Sequence, residues 1–333
     1  MKKIINTPEN YVRDTIEGII AAYGDRLKLL NGDFRMVMAR QMPKPGKVGI
    51  VTGGGSGHLP LFLGYVGKGM ADGCAVGNVF ASPSSGKMAD LIRACDFGGG
   101  VLCLYGNYGG DNMNFQMACD EVEIDGIQTE IVTAADDVAS ALSENAQKRR
   151  GVAGLIYAYK IAGAAADEMM NLQEVADITR KALNNIRSMG IALSPCIVPE
   201  VGVTTFTIGE DEVEIGMGIH GEKGIEVHKM MTADELAAVM LEKIVSDNPL
   251  ENGDEVSVLV NGLGATPLEE QMIFYRAVHK LLDNRGVSVV LPHIGEYATS
   301  MEMAGLSLTV FKLDDQLKRL LKAPASTPFY NFS

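Results

Sequence analysis

Glycine clusters that directly follow short apolar runs are the feature that most constrains the fold of this chain. Glycine accounts for 38 of the 333 residues, and its distribution is clustered, not periodic. The β-branched run at residues 48–52 leads into Gly53–His58, and the run at 100–105 leads into Gly106–Asp111. Because α/β sheets bind ligands outside the carboxyl ends of their strands, these turns predict ligand-binding loops in an α/β fold.

The chain length and the spacing of apolar runs predict two domains. At about 150 residues per domain, 333 residues suffice for two. A helix predicted over residues 172–188 ends at Met189-Gly190 and is followed by an extended, proline-marked stretch, which suggests a boundary. We therefore predict two α/β domains, residues 1–184 and 185–333, with mixed, largely parallel sheets. The clearest predicted strands cover residues 48–52, 100–105, 129–132, 256–260 and 287–291.

Two segments of the second half have more detailed signatures. After the 256–260 strand, Thr266 fits a helix N-cap, Pro267 the first helical position (N1) and Glu269 the N3 position of a capping box. Over residues 206–221, apolar residues alternate with glycine and polar residues, which predicts a strand with one buried face. His220 shares its parity with the glycine and polar face, where a ligand has room to approach.

Charge and cysteine content exclude several classes of protein. The net charge is −13, without a long basic run, which argues against nucleic acid and anionic membranes as partners. No stretch approaches 18 consecutive apolar residues, and the first residues lack the apolar core of a secretory signal. The five cysteines form no CxxC pair, which indicates reduced thiols in a cytoplasmic protein, without a zinc site.

The Gly53–His58 loop does not match the common nucleotide or hydrolase motifs. It lacks the Gly-Lys-Ser/Thr ending of a Walker A loop, and no other segment supplies one. It also fails the G-x-G-x-x-G and G-x-S-x-G patterns, because His58 occupies the position of the last glycine. Four glycines and a histidine within six residues still predict a ligand site in the Gly53–His58 loop.

Two histidines and one aspartate are the candidate reactive groups. Of the five histidines, His58 and His220 alone lie in glycine-rich turns or strand ends, and neither has a metal-ligand partner at helical spacing. Asp111 closes the second glycine-rich turn, so it would lie beside His58 if the two preceding strands are neighbours. A converging Asp and His suit abstraction of a hydroxyl proton. The alternative is that Asp111 caps a helix over residues 113–121.

Six motifs follow one another in a fixed order over nearly the whole chain. Together they resemble the dihydroxyacetone-binding subunit of dihydroxyacetone kinases (the DhaK family). The motifs are Gly53-Gly54-Gly55-Ser56-Gly57-His58, Asn107-Tyr108-x-Gly110-Asp111-x-x-Asn114-Phe115, Arg149-Arg150-Gly151-Val152-Ala153-Gly154, Gly218-Ile219-His220-Gly221-Glu222, Gly264-Ala265-Thr266-Pro267-Leu268 and Met301-Glu302-Met303-Ala304-Gly305-Leu306-Ser307-Leu308-Thr309.

The resemblance implies a role for each candidate residue. It implies that His220 holds a short-chain ketose covalently, as a hemiaminal at the ketone carbon, and that Asp111 and His58 complete the catalytic set. It also implies substrate hydroxyl contacts from Gly55, Ser56, His58 and Asp111, and from a nearby serine that maps to Ser82. A homodimer and a place in glycerol metabolism belong to the same expectation.

The same resemblance implies that no cofactor binds to this chain. A separate nucleotide-binding (DhaL-like) subunit would carry ADP or ATP with magnesium. In systems coupled to the sugar phosphotransferase system, a further DhaM-like subunit would rephosphorylate the bound ADP. The missing Walker A motif agrees with this expectation.

Two positions depart from the pattern that is common in the family. Gly106 stands where a substrate-binding lysine is usual, and Leu59 stands where a glutamate follows the histidine. The loss of a cation and an acid changes the size and polarity of the pocket rim. Three functions therefore stay open: a dihydroxyacetone kinase subunit, a kinase subunit for a four-carbon ketose, and a ketose-sensing transcriptional coactivator.

Overall fold

The computed structural model describes residues 2–41 and 43–333, which form two compact units. The first unit extends to Ala134 and resumes over Ile156–Ala182 and Arg319–Ser333; the second comprises Ala135–Leu155 and Leu183–Lys318. The chain therefore passes between the units more than once, whereas the sequence suggested one boundary after residue 184. The buried Asp136 shows why residues 135–155 belong to the second unit. Its carboxylate accepts hydrogen bonds from the amides of Val152 and Gly154 and from the hydroxyl of Ser188.

The two units contain the following elements. The helices are α1 (Tyr11–Tyr23), α2 (Ser85–Cys95), α3 (Gly109–Glu123), α4 (Leu155–Asp167), α5 (Leu172–Asn184), α6 (Ala233–Asp247), α7 (Leu268–Asp283) and α8 (Asp315–Leu321). The strands are β1 (Leu27–Leu29), β2 (Met36–Ala39), β3 (Gly49–Ser56), β4 (Gly73–Val79), β5 (Val101–Gly106), β6 (Thr129–Ala134), β7 (Ile186–Ser194), β8 (Glu212–Ile215), β9 (Glu226–Lys229), β10 (Glu255–Gly262), β11 (Ser288–Val289), β12 (His293–Gly295), β13 (Ala304–Leu313), β14 (Ala325–Ser326) and β15 (Asn331–Phe332).

The first unit contains a largely parallel sheet in the order β1-β2-β4-β3-β5-β6. Strands β4, β3, β5 and β6 run parallel, and β1 and β2 are antiparallel additions at one edge. Helices α2 and α3 pack on this sheet, and their apolar faces form one buried cluster with the strands. Val51, Cys103 and Phe115 belong to that cluster. The predicted α/β class is confirmed here, and β3 and β5 are neighbours as the paired glycine-rich turns required.

The sheet of the second unit is mixed and differs from the predicted largely parallel arrangement. Strand β10 pairs in parallel with the short β11 and β12, but β10-β13, β13-β7, β7-β8 and β8-β9 are all antiparallel. Short connections such as the one between β8 and β9 permit antiparallel pairing without a crossover helix. Helices α6 and α7 contribute to its apolar cluster, which includes Met240, Phe274 and Leu308.

Several predicted elements have different ends in the structure. The helix predicted to reach residue 188 ends at Asn184, because residues 186–194 form strand β7, paired with β13 in the core. The strand predicted over 287–291 is reduced to β11, and the one predicted over 206–221 to β8. Helix α7 begins after Pro267, since the Thr266 hydroxyl donates to the Gly305 carbonyl and does not cap the helix.

In the described part of the chain, no helix has the length and apolarity needed to cross a membrane. Among the same residues, no group of three or more His, Cys, Asp or Glu side chains is arranged to hold a metal ion.

Candidate functional site

The carboxyl ends of three adjacent parallel strands bring most of the predicted site residues to one sheet edge. Strand β3 ends at Ser56 and leads to His58, β4 leads to the turn that contains Ser82, and β5 ends at Gly106 before Asp111. The order β4-β3-β5 is parallel throughout. Since parallel strands end at the same edge, the first unit presents these residues together, where α/β sheets bind ligands.

His58 is held between two aromatic rings and is almost fully buried. Its side chain stacks on Phe80 at 4.8 Å between ring centroids, and Phe62 approaches edge-on at 6.2 Å. The residue is 1% exposed. Both phenylalanines have positive φ, 65° at Phe62 and 55° at Phe80, a conformation that is unusual for a bulky residue and that strained functional sites often contain. The imidazole therefore has a fixed orientation.

At two positions of the Gly53–His58 loop, close packing leaves no room for a side chain, which explains why glycine is found there. A side chain at Gly54 would overlap the ring of Phe62. A Cβ at Gly55 would lie 2.7 Å from the amide nitrogen of Ala81, in the turn after β4. The hydroxyl of Ser56 donates to the Gly77 carbonyl at 2.8 Å, and its own carbonyl accepts from the Phe80 amide. Part of the reason for the glycines in this loop is therefore the close packing around His58 and the two phenylalanines that contact it, Phe62 and Phe80, which we call the aromatic clamp.

Asp111 lies in the first turn of α3 and is 6% exposed. The helix begins at Gly109, two residues before Asp111, and the N-cap residue Tyr108 has no side-chain cap hydrogen bond. The alternative that Asp111 caps a helix beginning at residue 113 is therefore wrong. A carboxylate at this position is favoured electrostatically by the helix N-terminus. A Cβ built on Gly110 would lie 2.6 Å from the Ser82 hydroxyl, so Ser82 packs against the turn that carries Asp111.

The two departures from the family pattern have different surroundings. Gly106 is buried at the end of β5, in register with Ala134 of β6. Leu59 is half-buried and lines a small cavity together with Val12 and Ile16 of α1. A leucine suits this apolar surface.

His220 lies in the second unit, in a turn after β8. The predicted alternating strand stops at Ile215, and the Gly221 amide donates to the Gly218 carbonyl to close a turn around His220. The imidazole is 21% exposed. Its Nδ1 lies 2.9 Å from a Glu222 carboxylate oxygen, and the other oxygen accepts the His220 backbone amide at 2.8 Å. Glu222 therefore fixes both the ring and the backbone of His220.

A chain of charges extends from Glu222 into the second unit. Arg150 lies 3.9 Å from the Glu222 carboxylate, donates from Nε to the buried Asp137 at 2.9 Å, and donates to the Gly216 carbonyl. Burial raises the pKa of Glu222, but the hydrogen bond and charge of His220 and the charge of Arg150 outweigh it and lower that pKa to about 2. Glu222 is therefore ionised at neutral pH.

Sequence reasoning did not assign a role to Glu222 or Arg150. A signal for Glu222 was present, because a carboxylate two residues after a histidine in a glycine-rich turn can reach its ring. The built Cβ of Gly218 would overlap the Glu222 carboxylate and lie 2.6 Å from an Arg150 nitrogen, so this glycine makes room for the pair. Arg150 is 72 residues from Glu222 in sequence, so only the fold reveals that the two side chains are close.

Comparisons with known proteins agree with this architecture. The Dak1 domain matches residues 17–329. The chain is 46% identical, over 98% of its length and 99% of the relative, to the dihydroxyacetone-binding subunit DhaK of PTS-dependent dihydroxyacetone kinase 1 of Listeria innocua. It is 41% identical to the L-erythrulose kinase of Pectobacterium atrosepticum, over 99% of this chain but only 56% of that protein.

Solved structures show the same fold. The dihydroxyacetone kinase of C. freundii in complex with AMP-PNP and Mg²⁺ matches with a TM-score of 0.90 at 30% identity, covering 99% of this chain and 61% of that chain. The dihydroxyacetone kinase operon co-activator DhaQ matches with a TM-score of 0.89 at 32% identity, covering 96% and 98%. The chain belongs to the Dak1 family of dihydroxyacetone-binding DhaK subunits.

Proposed function

We propose that this chain captures dihydroxyacetone as a hemiaminal on His220 and presents it for phosphoryl transfer from a nucleotide on a separate subunit. The observation that carries the proposal is the His220–Glu222 pair. A carboxylate on Nδ1 holds the ring proton there, so that Nε2 has the lone pair needed to attack a ketone carbon.

Capture of the ketose exchanges one proton. The bond between Nε2 and the ketone carbon forms, the carbonyl oxygen takes up a proton to become a hydroxyl, and the ring releases its Nδ1 proton. Between these proton transfers the imidazole is positively charged, and the ionised Glu222 stabilises that charge. Selection for ketones and aldehydes follows, because a polyol such as glycerol has no electrophilic carbon.

Asp111 and His58 supply the chemistry of the transfer step in this proposal. Asp111 takes the proton from the substrate's terminal hydroxyl as a general base, and His58 donates a hydrogen bond to the same oxygen. The fixed orientation of His58 between Phe62 and Phe80 suits a donor that must be in place before reaction. Gly55, Ser56, Gly57 and Ser82 belong to the substrate-binding surface, and Gly106 leaves that surface without a side chain at the end of β5.

The proposal places the nucleotide on a partner. ADP or ATP with magnesium would bind a DhaL-like subunit, and the 46% identity to a PTS-dependent subunit favours a DhaM-like phosphoryl donor. We also propose that the chain forms a homodimer, is cytoplasmic and acts in glycerol metabolism. We propose no nucleic-acid or membrane partner.

A second function is a kinase subunit for a four-carbon ketose. Gly106 and Leu59 favour it, because both remove charged side chains that are common in the family. The 41% identity to an L-erythrulose kinase agrees. A ketose-sensing coactivator is a third candidate, supported by the structural match to DhaQ. A sensor needs only the anchor His220, whereas this chain also retains His58 and Asp111.

Reconstitution distinguishes these functions. The chain, mixed with a nucleotide-loaded DhaL-type subunit and magnesium, should phosphorylate dihydroxyacetone or erythrulose, and the chain alone with ATP should not. Ketose binding without transfer in every reconstituted mixture would indicate the sensor. Steady turnover by the pure chain with ATP alone would overturn the assignment of the nucleotide to a partner.

A further inference from the structure

Two cysteines of the first unit form a sulfur–sulfur contact between strand β5 and helix α3, the helix that carries Asp111. Cys103 lies on β5 and Cys119 on α3, with 3.8 Å between their sulfurs. Cys103 is fully buried, whereas Cys119 is 6% exposed and lines a surface groove of about 640 Å³ with Gln116 and Thr129. Cys119 is therefore the residue of the pair that borders this groove.

The two thiols differ in reactivity. The hydrogen bond between the two thiols lowers the pKa of Cys119, and a further bond from Thr129 acts in the same direction. The hydrogen bond and burial raise the pKa of Cys103 well above its usual range. Since only Cys119 borders the groove and Cys103 is fully buried, we infer that Cys119 is the sulfur that reacts first and that Cys103, 3.8 Å away, is the resolving thiol.

We propose that Cys103 and Cys119 form a reversible disulfide when the protein meets a hydroperoxide. The Cys119 thiolate attacks the peroxide, breaks its O–O bond and becomes a sulfenic acid, while hydroxide leaves from hydrogen peroxide or an alkoxide leaves from an organic hydroperoxide. The Cys103 thiol then displaces water from that sulfenic acid, so that one peroxide is reduced and two thiols are oxidised. A thiol reductant restores the pair by exchange.

The disulfide would displace the helix that carries Asp111. Asp111, Phe115 and Cys119 are spaced four residues apart and share the buried face of α3. The ring of Phe115 already stacks on Tyr105 of β5 at 4.1 Å. A disulfide requires a sulfur–sulfur distance of about 2.05 Å. In this proposal, helix α3 tilts or slides on the Tyr105–Phe115 contact as the sulfurs approach, and Asp111 moves with it.

The expected consequence depends on the proposed function: the oxidised protein should bind ketose at His220 but lose most phosphoryl transfer. The site of oxidation itself does not depend on that function. A mass spectrum reports the disulfide, whereas a transfer assay reports the activity, so the two claims can fail separately.

The experiment treats the full chain with graded hydrogen peroxide and measures intact mass, peptide linkage and transfer activity. The wild type should lose two hydrogens, yield a Cys103–Cys119 linked peptide and recover fully with dithiothreitol. Cys103→Ser should stop at a sulfenic acid trapped by dimedone, and Cys119→Ser should form neither product. Cys196→Ala, which removes a buried cysteine of the second unit, should behave as the wild type.

Oxidation of other cysteines before this pair, or over-oxidation of Cys119 without a linked peptide in the wild type, would overturn the proposal. A quantitative disulfide with unchanged transfer activity would overturn its effect on Asp111. Wild-type oxidation and its reversal require no variant, so a misfolded substitution cannot obscure the result. Failure of the reduced protein to transfer phosphate would count against the proposed function alone.

Discussion

His58 and His220 lie in similar sequence contexts but in opposite physical environments. His58, in the first unit, is buried against the aromatic rings of Phe62 and Phe80. His220, in the second unit, is half-buried; the Glu222 carboxylate contacts its ring, and the Arg150 guanidinium lies near that carboxylate. The aromatic rings fix the orientation of His58, and Glu222 holds both the ring and the backbone amide of His220. In the proposed function, the two similar glycine-histidine turns therefore have different tasks: one orients His58, and the other activates His220 as a nucleophile.

The largest effect is expected at Asp111. Asp111→Asn should leave ketose capture intact and reduce phosphoryl transfer by about 10²–10⁴-fold, because it removes a general base. Calorimetry for binding and a coupled transfer assay measure the two steps. Asp120→Asn, an exposed aspartate on the same helix bonded to Gln116, is the matched control. Equal loss of binding and transfer would mean that Asp111 has a structural role.

Glu222→Gln tests whether the charged chain activates His220. A hydrogen bond to a charged group contributes about 1.5–3 kcal/mol. Its loss should weaken ketose capture by roughly tenfold or more and leave the geometry of the His58 clamp unchanged. Glu226→Gln, which alters the exposed His228–Glu226 pair at 2.7 Å, is the control. If both variants capture ketose with wild-type affinity, the Glu222 contact does not activate His220.

The same residue predicts a pH dependence of stability. The folded-state pKa of Glu222 is lowered from 4.5 to about 2, so the carboxylate favours folding above pH 4.5. That contribution is lost as the pH falls from about 4.5 through about 2. As the pH falls from about 4.5 to about 2, the urea midpoint of unfolding should therefore decrease more for the wild type than for Glu222→Gln. Glu269→Gln on α7, an exposed site, should retain the full wild-type dependence; parallel curves for all three proteins would refute the prediction.

The smallest effect concerns substrate size. A lysine at position 106 restores a donor at the end of β5, and such a contact contributes about 0.5–3 kcal/mol. Gly106→Lys should therefore favour dihydroxyacetone over erythrulose, raising the ratio of their kcat/KM values by about tenfold relative to the wild type. An unchanged ratio would show that position 106 does not determine substrate size. Leu59→Glu, at the second departure, is the companion variant.

Much of the fold could be predicted from local pattern, and the exceptions have physical causes. The apolar runs that became β3, β5, β6 and β10 were found because buried strands have continuous apolar sequences. The capping-box pattern shows the limit. Thr232 and Glu235 form a complete capping box on α6, whereas Thr266 uses its hydroxyl to bond Gly305 on β13. Whether a threonine before a helix caps that helix or bonds a distant strand depends on its tertiary partner, which the spacing of residues in the sequence does not reveal.

The candidate site shows the same division. The turns holding His58, Asp111 and His220 were evident because they combine glycines with reactive side chains. The contact of Phe62 and Phe80 with His58 was not evident from the sequence. Both phenylalanines have positive φ, which no local preference predicts for a bulky residue. Arg150 and Asp137 could not be placed at all, because the contact with Glu222 depends on how residues 135–155 pack within the second unit.

The ¹³C resonance of the ketone carbon of labelled dihydroxyacetone tests the central claim most directly. With the wild-type protein, the signal should move from the ketone range to that of a tetrahedral carbon, and it should do so equally with His58→Ala. With His220→Ala the bound fraction should vanish or keep the ketone shift. A tetrahedral signal that persists in His220→Ala, or that is lost in His58→Ala but not in His220→Ala, would contradict the division of tasks between the two histidines.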